Sequence, residues 1–119
     1  MFVYRFDRSI PGKGEAELGA FHSLEVPYVF GSLRDREWQW LPSTADDASL
    51  SGLLQTYWTN FAKTSNPNAS GLPNWPAWSD EEKEFLVVNQ DASVTAQHNF
   101  PPLFSSLGAN ELKQRFKAN

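Results

Sequence analysis

The sequence has 119 residues, with 10 Lys and Arg against 14 Asp and Glu, a formal net charge of −4 and no cysteine. This length is typical of one domain, here residues 1–119, with a core that needs neither disulfides nor a Cys-based zinc site. The acidic balance and the lack of a Lys/Arg cluster exclude an electrostatic surface for nucleic acid.

We expect neither a membrane span nor an export signal. No apolar run approaches the ~20 residues that cross a bilayer. The first seven residues lack the basic and then apolar pattern of a signal peptide, which favours a cytoplasmic location. We also expect no cofactor and no metal ion.

The first residues predict a β-strand over residues 2–7. Phe2, Tyr4 and Phe6 lie on one side of it, with the period of two that is typical of a half-buried strand. Because this strand follows the initiator Met directly, the sequence begins as if in the middle of a fold. An open edge strand favours pairing with a second chain, so we expect a homo-oligomer.

A loop and a short apolar segment come next. Residues 8–21 are rich in Gly, Ser and Pro, which predicts a surface connection. In the apolar residues 25–31, Pro27 suits the first turn of a short helix and Gly31 suits its end. The type of this element stays open at this point.

The clearest element is an amphipathic helix over residues 46–63. Its apolar residues recur at spacings of three and four, and so share one face: Leu50, Leu53, Leu54, Tyr57, Trp58, Phe61 and Ala62. Thr44 and Asp47 form a capping-box pattern at its start. Asp46 and Asp47 are explained by the favourable charge at a helix N-terminus. The aromatic residues of the stripe predict core positions.

The rest of the chain mixes turns with short elements. Residues 66–78 are dense in turn residues, and Trp75 and Trp78 predict an ordered loop pinned to the body of the protein. Residues 85–88 are a short apolar run that predicts a strand, and residues 111–116 predict a short terminal helix. Together these elements predict an α+β fold.

His22 and His98 are the two histidines, so a base near neutral pH must be one of them. His22 leaves a glycine-containing loop, and Glu25 follows three residues later, before the apolar segment. From these residues alone, a surface or hydrogen-bonded loop histidine is the alternative. His98 stands among turn residues without a carboxylate at helical spacing, and we interpret it as structural.

Three segments, in order, resemble signatures of type B carboxylesterases, the family of carboxylesterases, bile-salt lipases and cholinesterases. Residues 19–31 are similar to G-x-x-H-G-x-[ED]-x-x-[YF]-V-F-G, with Ser23 in place of a glycine. Residues 57–68 resemble W-x-N-F-A-x-T-G-x-P-N, with Ser65 in place of a glycine, and residues 71–78 resemble L-P-x-W-P-x-Y. The resemblance covers nearly the whole chain.

This resemblance implies the C-terminal portion of an α/β-hydrolase fold and a carboxylic ester hydrolase that acts on a small ester. It gives His22 the role of general base and Glu25 the role of a supporting acid. The G-x-S-x-G segment that carries the nucleophile in such enzymes is absent from the sequence. We therefore expect weak or no activity from the chain alone.

Two hypotheses address the missing nucleophile. In one, chains assemble so that His22 of one copy meets Ser105 or Ser106 of another, with Glu25 orienting the imidazole. In the other, the chain is a non-catalytic domain that self-associates through an apolar surface that the rest of a hydrolase would cover.

Overall fold

The computed structural model describes residues 1–9, 19–41 and 43–99. In these ranges the elements are, in chain order, strand β1 (Tyr4–Phe6), helix α1 (Val26–Val29), a 3₁₀ turn (Arg36–Trp38), helix α2 (Ala45–Thr64), strand β2 (Phe85–Val88) and strand β3 (Val94–Gln97). The helix predicted over residues 111–116 lies outside the described residues.

The described strands form one sheet in the order β1-β2-β3. β1 pairs in parallel with β2, with Tyr4 beside Leu86 and Phe6 beside Val88. A parallel pair needs a long crossover connection, and here it carries α1 and α2. β2 is buried at all four positions because it is the central strand. The strand predicted over 85–88 is confirmed, and the one over 2–7 is confirmed over its three central residues.

β3 is a strand that the sequence pattern does not predict. It pairs antiparallel with β2, and a turn closes the pair through a hydrogen bond from the Asn89 amide to the Ser93 carbonyl, 2.8 Å long. Its residues are half-buried or exposed, and the short polar run Val94–Gln97 gives little hydrophobic signal. Pairing with a buried neighbour, which is a long-range effect, decides its conformation.

Helix α2 confirms the prediction over 46–63 and extends it by one residue at each end. The predicted capping box is present, with the Thr44 and Asp47 side chains each bonded to the other residue's backbone N–H. The helix ends at Ser65, whose φ of 61° is left-handed. Leu50, Leu54 and Tyr57 face the core and pack with residues of β2.

The loop over residues 66–78 is held to the body as predicted. Trp75 is 5% exposed, and its indole N–H donates to the Val3 carbonyl over 2.9 Å. The Asn68 side chain bonds both backbone groups of Trp75, at 2.7 and 2.8 Å. The Tyr57 hydroxyl donates to the Pro73 carbonyl over 2.6 Å. These bonds tie the loop to Val3 and to α2, and they place Trp75 in the core.

One core prediction is wrong. Phe61, at the end of the aromatic stripe, is 50% exposed, whereas Tyr57 is fully buried and Trp58 half-buried. In the described structure the last apolar turn of the helix borders an open groove, where Phe61 makes an edge contact with Phe2. Within residues 1–9, 19–41 and 43–99, no helix is long and apolar enough to cross a membrane.

Candidate functional site

His22 is exposed on a tight turn that leads into α1. Backbone hydrogen bonds from the Leu24 amide to the Phe21 carbonyl and from the Val26 amide to the Ser23 carbonyl, each 3.2 Å, form this turn. Among the described residues, no hydrogen bond or ion pair holds the imidazole. Its position is therefore set by the backbone of the turn.

Ser23, directly after His22, adopts a left-handed conformation with φ of 69°. Only glycine enters this region without a steric cost. The sequence signature has glycine at this position, and the structure shows the physical reason. The same holds at Ser65, whose φ is 61°. Both departures from the signature therefore keep the backbone shape that glycine would favour.

Glu25, the expected supporting acid, is half-buried and contacts β1. The Tyr4 hydroxyl donates to Glu25 Oε1 over 3.4 Å, a long hydrogen bond. Burial and the Glu25 charge raise the pKa of Tyr4 above its ordinary value. The described structure shows no hydrogen bond between His22 and Glu25, so the carboxylate ties the turn to the sheet and leaves the imidazole unpaired.

Helix α1 follows the turn and settles the type of the element at residues 25–31, which the sequence left open. It spans Val26–Val29, with Pro27 in its first turn and Tyr28 buried. The Ser51 hydroxyl of α2 donates to the Tyr28 carbonyl over 2.7 Å. The Tyr28 hydroxyl donates to Asp47 Oδ1 over 2.8 Å. Two polar contacts with α2 therefore hold this one-turn helix.

Asp47 is a site residue whose role the sequence analysis missed. The helix charge and the capping pattern explain its position in part, but its side chain is 0% exposed. Arg8 Nε donates to the same Oδ1 over 2.8 Å, and the Thr44 amide and hydroxyl donate to Oδ2 over 2.7 and 2.9 Å. A signal for this was present, because Asp47 is in register with Leu50 and Leu54 on the core-facing stripe.

The charge of Asp47 is stabilised by these donors. Burial alone would raise the pKa of this carboxyl, but the hydrogen bonds from Arg8, Thr44 and Tyr28 outweigh burial and hold the pKa below its usual range. The hydrogen bond with Asp47 likewise raises the pKa of Arg8. Burial and the Asp47 charge raise the pKa of the Tyr28 hydroxyl far above its ordinary value. The carboxylate, the guanidinium and the neutral phenol form one buried unit.

His98 lies just beyond the end of β3 and is 60% exposed. Its Nδ1 is 3.7 Å from Glu82 Oε2 and 3.6 Å from Glu84 Oε1. Neither glutamate is at helical spacing from His98 in the sequence. The β2–β3 pairing brings both of them close to it. Exposed pairs of this kind contribute little to stability. The expected structural role of His98 is thus limited to a weak surface contact.

The candidate nucleophiles Ser105 and Ser106 lie outside the described residues. In the ranges that the structure describes, no group of three His, Cys, Asp or Glu side chains could hold a metal ion.

An apolar groove of about 260 Å³ lies between β1, α2 and the 66–78 loop. Its lining residues are Met1, Phe2, Tyr4, Tyr57, Trp58, Phe61, Pro67 and Trp75. His22 does not line it. The groove and the turn that carries His22 (residues 21–26, hereafter the histidine turn) are therefore separate features of the surface.

Comparison with solved structures places this fold among esterases of the α/β-hydrolase class. A thermophilic PNB esterase matches 95% of this chain with a TM-score of 0.67 and 30% identity. The carboxylesterase EST55 of Geobacillus stearothermophilus matches 87% of it with a TM-score of 0.65 and 28% identity. The matched part is 21% and 20% of those chains, respectively.

The chain belongs to the carboxylesterase family, since the family model described as "Carboxylesterase family" matches residues 1–102. The para-nitrobenzyl esterase of Bacillus subtilis is 37% identical over 95 residues, which are 79% of this chain and 19% of that protein. The human cocaine esterase is 37% identical over 75 residues, 63% of this chain and 13% of that protein. The chain thus spans about a fifth or less of these relatives, and the resemblance to type B carboxylesterases is confirmed.

Proposed function

We propose that this chain is the C-terminal, histidine-bearing part of a carboxylic ester hydrolase, with His22 as its general base. The observation that carries this proposal is an exposed imidazole on a turn that buried contacts hold in place, in a chain of the carboxylesterase family. A small carboxylic ester is the proposed substrate.

The proposed chemistry of His22 is proton transfer. The imidazole accepts the proton of a serine hydroxyl as the serine oxygen attacks the ester carbonyl carbon. It then gives that proton to the leaving alkoxide, and repeats the cycle with water to release the acid. An unpaired, solvent-accessible imidazole can perform both transfers, because its ring nitrogens are not committed to neighbours in the described structure.

Glu25 supports this reaction by fixing the turn. Its hydrogen bond from Tyr4 joins the residue three after His22 to β1. The role of Glu25 as a supporting acid is thus one of geometry, since its carboxylate does not contact the imidazole. The serine nucleophile comes from another segment of the hydrolase, or from Ser105 or Ser106 of a second copy.

A hybrid esterase tests the role of His22. This chain replaces the matching fifth of the Bacillus subtilis para-nitrobenzyl esterase, and hydrolysis of p-nitrophenyl acetate is measured. The variant His22→Ala is expected to lower kcat by about 10⁴-fold or more, the usual loss when a triad member is removed. KM is expected to change little, because the imidazole acts in the chemical step.

His98→Ala is the matched control, since it is the same change at the other exposed histidine. It should leave kcat within twofold of the unsubstituted hybrid. An active hybrid that keeps its rate without His22, or that loses it without His98, contradicts the proposal.

A second candidate function is self-association through the apolar groove. The observation that favours it is a cluster of exposed apolar side chains at its rim, with Met1 79% and Phe61 50% exposed. Exposed apolar patches of this kind are typical of interfaces. The mass of the 119-residue chain in solution tests it. A dimer that Phe61→Ser converts to monomer supports it, and a monomer at all concentrations contradicts it.

The same samples test the exchange of residues between copies. Ester hydrolysis by the chain alone that disappears in His22→Ala and in the double variant Ser105→Ala, Ser106→Ala would show that two copies form a catalytic pair. No hydrolysis, together with an active hybrid, would show that the nucleophile belongs to another segment.

A further inference from the structure

We propose that Asp47 is a positioning residue for His22, because its buried carboxylate holds helix α1 and, through it, the histidine turn. This inference rests on the proposed function in giving His22 a chemical role. It goes beyond the sequence signatures, which do not include Asp47.

The histidine turn and α1 form one connected unit. Backbone hydrogen bonds run from the Leu24 amide to Phe21, from the Val29 amide to Glu25 and from the Phe30 amide to Val26, each between 3.0 and 3.2 Å. Any rotation of α1 therefore moves the backbone that carries His22.

Helix α1 cannot hold its own orientation. Four residues make one helical turn, and an isolated turn is unstable because nucleation costs more than its hydrogen bonds return. Contacts with the rest of the protein must fix it. They are the burial of Leu24, Pro27 and Tyr28, and the hydrogen bonds from Tyr4 to Glu25, from Ser51 to the Tyr28 carbonyl and from Tyr28 to Asp47.

The hydrogen bonds that hold α1 differ in length and burial. The bond from Tyr4 to Glu25 is long, at 3.4 Å, and lies partly in solvent. The bond from Tyr28 to Asp47 is 2.8 Å, is buried and has an ionised acceptor, the class of hydrogen bond that is about twice as strong as a neutral one. The bond from Ser51 to the Tyr28 carbonyl is also buried and is 2.7 Å long, but its acceptor is neutral. Of these three hydrogen bonds, the one from Tyr28 to Asp47 is therefore the one that is both buried and made to a charged acceptor.

Asp47 is itself held by four hydrogen bonds. Its carboxylate accepts bonds from Arg8 and Tyr28 on one oxygen and from the Thr44 amide and hydroxyl on the other. These four bonds use the acceptor capacity of a carboxylate, which is about four. Arg8 also donates to the Gln90 carbonyl in the β2–β3 turn. The carboxylate thus links α1, α2 and the end of the sheet.

The test uses the full 119-residue chain and two matched substitutions. Tyr28→Phe removes the hydroxyl bonded to Asp47. Tyr57→Phe removes the hydroxyl bonded to the Pro73 carbonyl, a part-buried bond of a fully buried tyrosine that is distant in sequence from the histidine turn. Each is the loss of one oxygen without a change of ring. Amide hydrogen exchange is measured by NMR at Val29 and Phe30 in α1, at Leu72 and Trp75 in the loop, and at Leu86 in β2 as a global reference.

Each substitution is expected to speed amide exchange in its own region and to leave the other region unchanged. In Tyr28→Phe, exchange relative to Leu86 becomes about tenfold faster at Val29 and Phe30, as expected for loss of a hydrogen bond with a charged group, and is unchanged at Leu72 and Trp75. Tyr57→Phe has the reverse effect. The imidazole signals of the two histidines, assigned with His22→Ala and His98→Ala, give the second readout. The His22 signal shifts in Tyr28→Phe and not in Tyr57→Phe, while the His98 signal shifts in neither.

Two outcomes overturn the proposal. Unchanged relative exchange at Val29 and Phe30 in Tyr28→Phe means that Asp47 does not hold α1. Faster exchange there with an unchanged His22 signal means that Asp47 holds the helix without positioning the histidine. None of these readouts uses catalysis, so failure of the proposed function in the hybrid remains a separate result.

Discussion

The two halves of helix α2 hold their neighbours in different ways. The N-terminal half holds α1 through polar groups, the Asp47 carboxylate and the Ser51 hydroxyl. The C-terminal half holds the 66–78 loop mainly through rings, with Tyr57 and Trp58 in contact with Trp75 at centroid distances of 5.4 and 5.5 Å.

The two kinds of contact have different effects: the hydrogen bonds fix an orientation, and the aromatic contacts bury surface. Hydrogen bonds with a buried carboxylate are directional, so they fix the angle of a short helix. Aromatic contacts bury large areas and tolerate several geometries, and they leave Phe61 half exposed beside an open groove. The histidine turn is held at the polar end, where orientation is controlled.

The largest expected effect is at the polar end. Asp47→Ala should lower the free energy of unfolding by about 3–5 kcal/mol, because it leaves the Arg8 charge buried without its partner. Urea unfolding at pH 7 measures this. Since the folded pKa of Asp47 is lowered, its contribution is present above the unfolded pKa of about 3.9 and is lost as the pH falls through the folded value.

Asp46→Ala is the control for that change. Asp46 is the exposed neighbour in the same helix turn, so its loss should cost less than about 1 kcal/mol, the contribution of a charge near a helix end. Equal costs for Asp46 and Asp47 would contradict the contrast between the two halves of α2.

An intermediate effect is expected at high pH. Burial raises the pKa of Tyr57 from 10.0 to about 12, so its contribution is complete below pH 10 and is lost as the pH rises from 10 to about 12, on the order of 2 kcal/mol. Tyr57→Phe should flatten this fall in unfolding free energy. Tyr28→Phe should flatten it more, because the Asp47 charge adds to burial at Tyr28. If the free energy of unfolding falls with the same slope in the unsubstituted chain and in both variants, neither phenol has a raised pKa in the folded protein.

The smallest expected effect is at the two left-handed serines. Ser65→Gly should raise the free energy of unfolding by about 0.5–1 kcal/mol, because the relief of a left-handed backbone exceeds the entropy that glycine adds to the unfolded chain. Ser23→Gly should give a similar gain next to His22. Thermal unfolding measures both. Ser70→Gly, at an exposed residue without a left-handed φ, is the control and should bring no gain.

The sequence predicted the elements that local pattern encodes. Helix α2, its capping box, strand β2 and the pinned Trp75 are confirmed, because apolar spacing and cap residues act over a few neighbouring positions. The turn with His22 was found by resemblance to a family pattern. The structure then added the reason for the two glycine positions in that pattern.

Other features could not be read from local pattern. β3 has too little apolar alternation to be recognised. Phe61 has the spacing of a core residue, but the packing around it leaves it 50% exposed. His98 has no carboxylate at helical spacing, yet the β2–β3 pairing brings Glu82 and Glu84 near it.

By itself the sequence determined the family and the long helix, and it identified His22 as the candidate histidine, since these depend on residue types at short spacings. The tertiary structure decided what holds that histidine in place. Asp47 is 39 residues from Arg8 and 19 from Tyr28 along the chain. One carboxylate can accept from both only after the crossover from β1 to β2 has packed α1 against α2. That packing depends on long-range burial, which no short window of sequence contains.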